Sequence, residues 1–331
     1  MPGQAVKYTT LGTTGLKVSR LCIGCMSFGG AEAKGFEWTV GYEDAKRIID
    51  KAIDLGINFF DTADVYSNGK SEDIVGKALE GRRDDVVLAT KVGLPTGGGP
   101  NDRGLGREHI KKNLKRSLGL LRTDRVDLYQ IHRWDYQTPI AQVLKTLTQA
   151  VKDGQVDNLG ASSMWARQLA QALYTSERLG LERFKTMQNH YNLAYREEER
   201  EMIPLCADEG IPLLPWSPLG RGFLTGKYKR GVAPRTSRYK ADLYLSGRYF
   251  KPEDFDVVER LVEVADSKGA KPAQVALAWL LSRKPVASPI VGPTRVEQLE
   301  ELVGALSVKL GADDMRALEE PYRPHPVLGH Q

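Results

Sequence analysis

The chain has 331 residues, 41% hydrophobic and 27% charged, an ordinary balance for a globular protein with a sizeable core. Lys plus Arg (47) against Asp plus Glu (42) leaves +5, too small and too dispersed to argue for nucleic acid, although a local basic site for a phosphorylated small molecule stays open. No apolar run reaches the roughly 18 residues of a membrane span, and the polar start Met-Pro-Gly-Gln-Ala-Val-Lys lacks a signal-peptide core, so no membrane is expected and the compartment is expected to be cytoplasmic.

In chain order, residues 7–20 carry two short extended segments around Gly12 and Gly15, a hairpin signal expected to form a lid on the floor of the main fold. Leu21 to Gly24 reads as the first core strand. It contains Cys22-Ile-Gly-Cys25, which has dithiol spacing, but strand positions i and i+3 face opposite sides, so these are read as buried thiols. With Cys206 they make three cysteines, which cannot all pair and give no secreted disulfide framework. Tyr42 to Leu55 reads as a helix with Ala45, Ile48, Ile49 and Ala52 on one face.

The second strand is Ile57-Asn-Phe59-Phe60, whose apolar run gives way to Asp61, with Tyr66 in the loop beyond. The alternation continues with a helix near 71–80, strand 86–91 ending at Lys91, helix 107–121, strand 126–131 running into His132, helix 139–153, strand 155–161 and helix 165–179. Strand 184–188, helix 196–209, strand 211–215, a long loop, helices 253–268 and 272–281, a strand around 286–290 and helices 295–304 and 311–319 complete it. The Pro-rich tail from Pro321 is expected to run extended over the surface or pocket rim.

Eight strand-then-helix repeats, with strands too short and apolar to alternate, predict an α/β fold: a (β/α)8 TIM barrel with an N-terminal β-hairpin, one domain over residues 1–331. A doubly wound open sheet is the runner-up. Loops 92–107 and 217–251 exceed the usual few residues and are expected on the C-terminal face, where barrel active sites lie.

No Gly-x-Gly-x-x-Gly follows a strand, and no P-loop, His-Glu-x-x-His or Gly-x-Ser-x-Gly occurs. Asp61, Tyr66, Lys91 and His132 converge at strand ends and fit one chemistry. Tyr66 would protonate an oxygen, with the Lys91 ammonium expected to lower a phenol pKa ordinarily about 10, Asp61 keeping Lys91 charged, and a neutral His132 holding a carbonyl oxygen. Such general acid catalysis contributes roughly 10² to 10⁴ in rate.

Asp61-Thr-Ala-Asp-Val-Tyr66, Ala89-Thr-Lys91 and Gln130-Ile-His132 resemble the catalytic tetrad of the aldo-keto reductase superfamily, and the resemblance extends over essentially the whole chain. It is strongest to the branch with potassium-channel β subunits and aryl-alcohol-dehydrogenase-like reductases. The resemblance implies a (β/α)8 barrel reducing aldehydes and ketones with NADPH.

It also implies cofactor contacts. Gly24, Cys25 and Met26 would line the nicotinamide end, with Asp61 below it, and Ser162 and Gln188 would bind its carboxamide. The position after Ser162, usually Asn in the family, is Ser163. Trp216 would stack on the nicotinamide. Ser217, Leu219, Gly220 and Gly222 resemble the pyrophosphate loop, continued by Lys227 and Arg238. Gly292, Thr294, Arg295, Gln298 and Glu301 match the adenosine-phosphate segment, with Leu302 where the family often has Asn. The planar fork of Arg295 suits a 2′-phosphate and favours NADPH over NADH.

Other residues carry blander expectations. His109 and His190 are read as structural, His325 and His330 as solvated, Trp279 as core, and the run Arg196 to Glu201 as a solvated helix start. Trp38, Trp134 and Tyr249 are candidate pocket walls, with packing nearly as good a reading. The expected partner is a small-molecule carbonyl substrate, with no metal, and homo-oligomerisation is left open. The competing functions are a cofactor-sensing binding subunit that binds NADPH with little turnover, and a barrel lyase using Lys91 as a Schiff base.

Overall fold

Short strands that are apolar throughout cannot leave either face to water, so they need helices outside and one another inside. A computed structural model describes residues 6–30, 37–233, 236, 239, 242–328 and 330. Strands β1 (Tyr8–Thr10) and β2 (Lys17–Ser19) form the antiparallel hairpin, with Tyr8 opposite Ser19. The parallel sheet comprises β3 (Cys22–Gly24), β4 (Phe59–Asp61), β5 (Val87–Val92), β6 (Val126–Ile131), β7 (Val156–Ser162), β8 (Phe184–Gln188) and β9 (Ile290–Val291). Its spatial order is β8-β7-β6-β5-β4-β3-β9.

Residues 212–216 close the ring. Leu213 bridges Met187 of β8 on one side and Val286 on the other, both parallel. Leu214 N donates to Met187 O at 2.9 Å, and Ala287 N donates to Leu213 O at 2.9 Å. The sequence predicts full strands over 211–215 and 286–290, but the structure has isolated bridges there and starts β9 at Ile290. Pro212, Pro215, Pro285 and Pro289 lack the N–H that a continuous ladder needs.

Alternation along the strands separates two cores. Cys22, Phe59, Val87, Ala89, Leu128, Leu214 and Ile290 form an inner cluster with Leu11 and Val18 of the hairpin, which therefore plugs the barrel floor. Ile23, Phe60, Leu88 and Tyr129 face the helices. Helix Tyr42–Asp54 buries Ala45, Ile48, Ile49 and Ala52, the i, i+3, i+4, i+7 stripe read from the sequence. All three cysteines are buried and unpaired, and burial is the largest cause raising the Cys22 and Cys25 thiols, the opposite of the lowered value that makes a thiol reactive. Trp279 is fully buried. Among the described residues no helix is long and apolar enough to cross a membrane.

The helix predicted over 196–209 is instead a 3₁₀ turn at Glu197–Glu199 followed by a helix at Met202–Asp208. Glu197 and Glu198 are buried, not solvated, because they anchor the C-terminal tail. Glu197 Oε1 accepts from the Tyr322 hydroxyl at 2.5 Å and from His325 N at 2.8 Å. His330 Nε2 lies 3.0 Å from Glu198 Oε1, and His325 Nε2 lies 2.8 Å from Asp254 Oδ1. These pairs bury two histidines that the sequence places in solvent.

Phe59 fills the inner floor at 0% exposure. Phe59→Ala is expected to cost about 3 to 5 kcal/mol, read as a lowered midpoint in urea unfolding; an unchanged midpoint would mean the hairpin does not seal a packed floor.

Candidate active site

The C-terminal ends of β4, β5 and β6 place Asp61, Lys91 and His132 side by side. Gly24 pairs with Asp61, Asp61 with Ala89, and Lys91 with Gln130, so by register Asp61 sits one inward-facing position below Lys91 and Gln130, whose long side chains reach it. Lys91 is fully buried and Asp61 is 2% exposed. Lys91 Nζ donates to Asp61 Oδ2 at 2.5 Å, to Thr62 O at 2.7 Å and to the Tyr66 hydroxyl at 3.2 Å. Those three bonds use all three ammonium protons.

Asp61 Oδ1 accepts from Gln130 Nε2 and from Gln188 Nε2, each at 2.9 Å, and Gln188 Nε2 also lies 3.1 Å from Gln130 Oε1. The sequence names Gln130 only within the run Gln130-Ile-His132 and assigns it no role. Its only signal is a polar residue one place before the strand end, on the same inward face as Asp61 and Lys91.

Tyr66 opens the 3₁₀ turn Tyr66–Gly69 and meets His132 edge-on, ring centres 5.7 Å apart at 84°. Burial, outweighing the opposing pull of the Lys91 charge, raises the Tyr66 phenol above its ordinary value of 10. This reverses the expected direction: the ammonium is present, but desolvation of a phenolate is the larger effect. For Lys91 burial is the largest influence and lowers, yet the Asp61 and Tyr66 partners together raise it above the ordinary value, so it stays cationic. A protonated, triply bonded amine is a poor Schiff-base nucleophile.

Burial, then the Arg133 and Lys91 charges, holds His132 well below its ordinary value of 6.5. The ring is therefore neutral. Its Nδ1 is buried without a partner among the described residues, which favours the tautomer carrying the proton on Nε2. The site can thus present two neutral donors, a phenol and an imidazole N–H, beside a fixed cation.

Comparison with known proteins gives the chain its family. The profile of the aldo/keto reductase family matches residues 20–323. The chain belongs to the aldo/keto reductase family. It is 38% identical to the versiconal hemiacetal acetate reductase of Aspergillus parasiticus, over 97% of this chain and 98% of that one. It is 36% identical to the aldo-keto reductase AMT2 of Alternaria alternata, over 98% and 93% of the two chains. It is also 38% identical to the oxidoreductase YrpG of Bacillus subtilis, over 95% of each. Family and relatives support an oxidoreductase acting on carbonyl compounds.

The remaining positions expected from the aldo/keto reductase resemblance distribute around this centre. Cys25 and Met26 lie in a 3₁₀ turn directly after Gly24, where a Cβ would come 2.7 Å from Ile290 Cγ2. Ser162 ends β7 and donates to Gln188 O at 2.9 Å. Trp216 Nε1 donates to Ser163 Oγ at 2.9 Å, so Ser163 holds the edge of the indole ring. Ser217, Gly220 and Gly222 have positive φ, and a Cβ on Gly222 would lie 2.9 Å from Lys227 Nζ. Leu219 precedes the 3₁₀ turn Gly220–Thr225.

Gly292 follows β9, and Thr294 N donates to Gln298 Oε1 at 2.8 Å. Arg295 caps the helix Val296–Val303, and both Arg295 and Glu301 are exposed. Arg238 lies outside the described residues. Among the candidate walls, Trp38 and Trp134 are half-buried, whereas Tyr249 is buried with its hydroxyl 2.6 Å from His190 Nε2 and is not a free wall. His109 is buried, its Nδ1 3.0 Å from Asn101 O, as a structural residue should be.

Behind the centre lies an acid that the sequence does not flag. Asp64 is fully buried and both its carboxyl oxygens are without partners among the described residues. Burial, then the neighbouring Glu72, pushes it up to about 8. Because the folded value exceeds the ordinary 3.8, the unfolded chain loses this proton first as pH rises, so its contribution to stability is present below about pH 4 and is lost toward pH 8. Asp64→Asn should flatten that decline in thermal midpoints measured from pH 5 to 8; parallel wild-type and variant curves would show that Asp64 ionises normally.

Proposed function

We propose that this chain reduces aldehydes and ketones to alcohols with NADPH, using Tyr66 as general acid. The observation that carries the reading is the buried Lys91 ammonium bonded at once to Asp61, Thr62 O and the Tyr66 hydroxyl. Burial keeps Tyr66 a neutral phenol, and its oxygen already faces that cation. In the proposed reaction His132 donates Nε2–H to the substrate oxygen and orients it. Tyr66 protonates that oxygen as charge develops on it, and Lys91 stabilises the phenolate left behind.

The residues present fit a nicotinamide cofactor. The positive φ of Gly220 and Gly222 folds a tight loop whose N–H groups donate to Ser217 O and Leu219 O at 2.9 Å, and the Lys227 ammonium that lies against it is a cation suited to phosphate. Ser217 and Leu219 open that loop, and Trp216 offers a partly exposed aromatic face. Gln188 has its Nε2 committed to Asp61, so it would offer a carboxamide its Oε1 acceptor. Ser162, Gly24, Cys25 and Met26 would border the same end. Gly292, Thr294, Arg295, Gln298 and Glu301 would hold the adenosine phosphate, with Arg238 assigned to the phosphate loop on resemblance alone. Bound NADPH would supply the hydride.

The test is NADPH consumption against a panel of aliphatic and aromatic aldehydes and ketones. Tyr66→Phe should bind NADPH as the wild type does and lose roughly 10² to 10⁴ in kcat/KM; full activity in this variant would remove Tyr66 from the mechanism, and cofactor binding without any wild-type turnover would favour a sensing subunit. Reduction needs the protonated phenol, whose value is raised above 10, and the neutral imidazole, whose value is well below 6.5. The kcat/KM profile should therefore show neither limb between pH 6.5 and 10, and a half-maximal point inside that window would contradict this assignment.

Arg295 is proposed to read the 2′-phosphate. Arg295→Ala should raise KM for NADPH by about tenfold while leaving KM for NADH unchanged, since one charge-assisted contact is worth about 1.5 kcal/mol. Equal changes for both cofactors would place the discrimination elsewhere.

A further inference from the structure

The sequence leaves His190 as a structural histidine beside the cofactor loop, but its position is more specific than that. It lies two residues beyond β8 and bridges Trp216 in parallel, with Trp216 N donating to Asn189 O at 2.8 Å. Its imidazole lies flat against Trp216, ring centres 4.2 Å apart at 11°, and equally flat against Tyr195 on another contact, 4.1 Å at 13°. Stacked rings at these separations restrict tilt in a way that aliphatic packing does not.

The same ring is tied in its own plane. His190 Nε2 lies 2.6 Å from the Tyr249 hydroxyl, which also accepts from Asn192 Nδ2 at 2.9 Å. Asn192 Nδ2 donates as well to Ser217 O at 2.9 Å. One short network therefore connects the ring behind Trp216 to the first residue of the phosphate loop, while Ser163 pins the edge of Trp216. His190 is 1% exposed and does not itself reach a bound molecule.

We propose that His190 is a positioning residue that sets the plane of Trp216 and, through Tyr249 and Asn192, locks that plane to Ser217, so that the nicotinamide platform and the phosphate loop are held as one rigid unit. This inference rests on the reading above of Trp216 as the nicotinamide platform. An imidazole suits the task because it is flat and has a polar atom in its plane, which neither Phe nor Leu combines. Burial, then the Arg248 and Arg221 charges, holds its basicity well below the ordinary range, so the stacked ring is neutral beside those arginines.

The test compares two probes by fluorescence titration: NADPH, and adenosine 2′,5′-bisphosphate, which keeps the adenosine end and lacks the nicotinamide. His190→Ala should weaken NADPH binding about tenfold while leaving the bisphosphate within about twofold of the wild type. His190→Phe, which restores the flat ring but not the in-plane link to Tyr249, should recover part of the NADPH affinity and covers the case in which the alanine variant does not fold. Equal loss for both probes would mean a general packing role, and NADPH affinity unchanged in His190→Ala, or as weak in His190→Phe as in His190→Ala, would overturn the stacking role. A wild-type chain that binds the bisphosphate but not NADPH would overturn the platform reading and this inference with it, whereas turnover by the wild type with no effect of His190 would overturn this inference alone.

Discussion

A lysine ammonium sealed from water costs several kcal/mol unless every proton finds a partner, and the mouth of this barrel is arranged around meeting that condition for Lys91. Asp61 supplies the counter-charge, Thr62 a carbonyl and Tyr66 a hydroxyl. Asp61 in turn has its second oxygen held by two glutamine amides from β6 and β8. Four staves of the barrel are thereby committed to one ion pair. The position of the Tyr66 hydroxyl follows from this constraint, because it is the last acceptor available to a cation that must have three.

That dependence explains why the fold and the site are legible in the sequence to different degrees. Apolar runs ending in a polar residue mark β4, β5 and β6, so the chain itself identifies Asp61, Lys91 and His132 as strand-end groups. The amphipathic stripe Ala45, Ile48, Ile49, Ala52 is equally plain. The seventh stave is legible in its place along the chain but not in kind, because Pro212 and Pro215 reduce its pairing to bridges, and Pro285 with Pro289 do the same for the segment before β9.

What the sequence hides is pairing over long separations. Nothing local distinguishes Glu197 and Glu198 from other members of an acidic run, and only the arrival of Tyr322, His325 and His330, more than a hundred residues later, turns them inward. Ser163 reads as a missing family contact, yet its hydroxyl accepts from Trp216 and holds the ring that the missing Asn would have neighboured. Gln130 is silent for the same reason. A buried polar residue is identified by the partner it satisfies, and that partner is Asp61, 69 residues away.

The reversed direction at Tyr66 bears on how the proposed acid would work. A phenol lowered toward neutrality would hold its proton loosely but would also spend part of its time as a phenolate, unable to donate. Burial avoids this by keeping the proton in place until an alkoxide, a stronger base than a phenolate, develops beside it. The cost is a phenolate formed in a poorly solvated site, and Lys91 is the group positioned to offset it. Its contact with the Tyr66 oxygen, at 3.2 Å, is the longest of its three, against 2.5 and 2.7 Å for Asp61 and Thr62. The interaction is therefore weakest with the neutral phenol and has room to shorten as negative charge appears, which is the condition for stabilising a transition state more than the ground state.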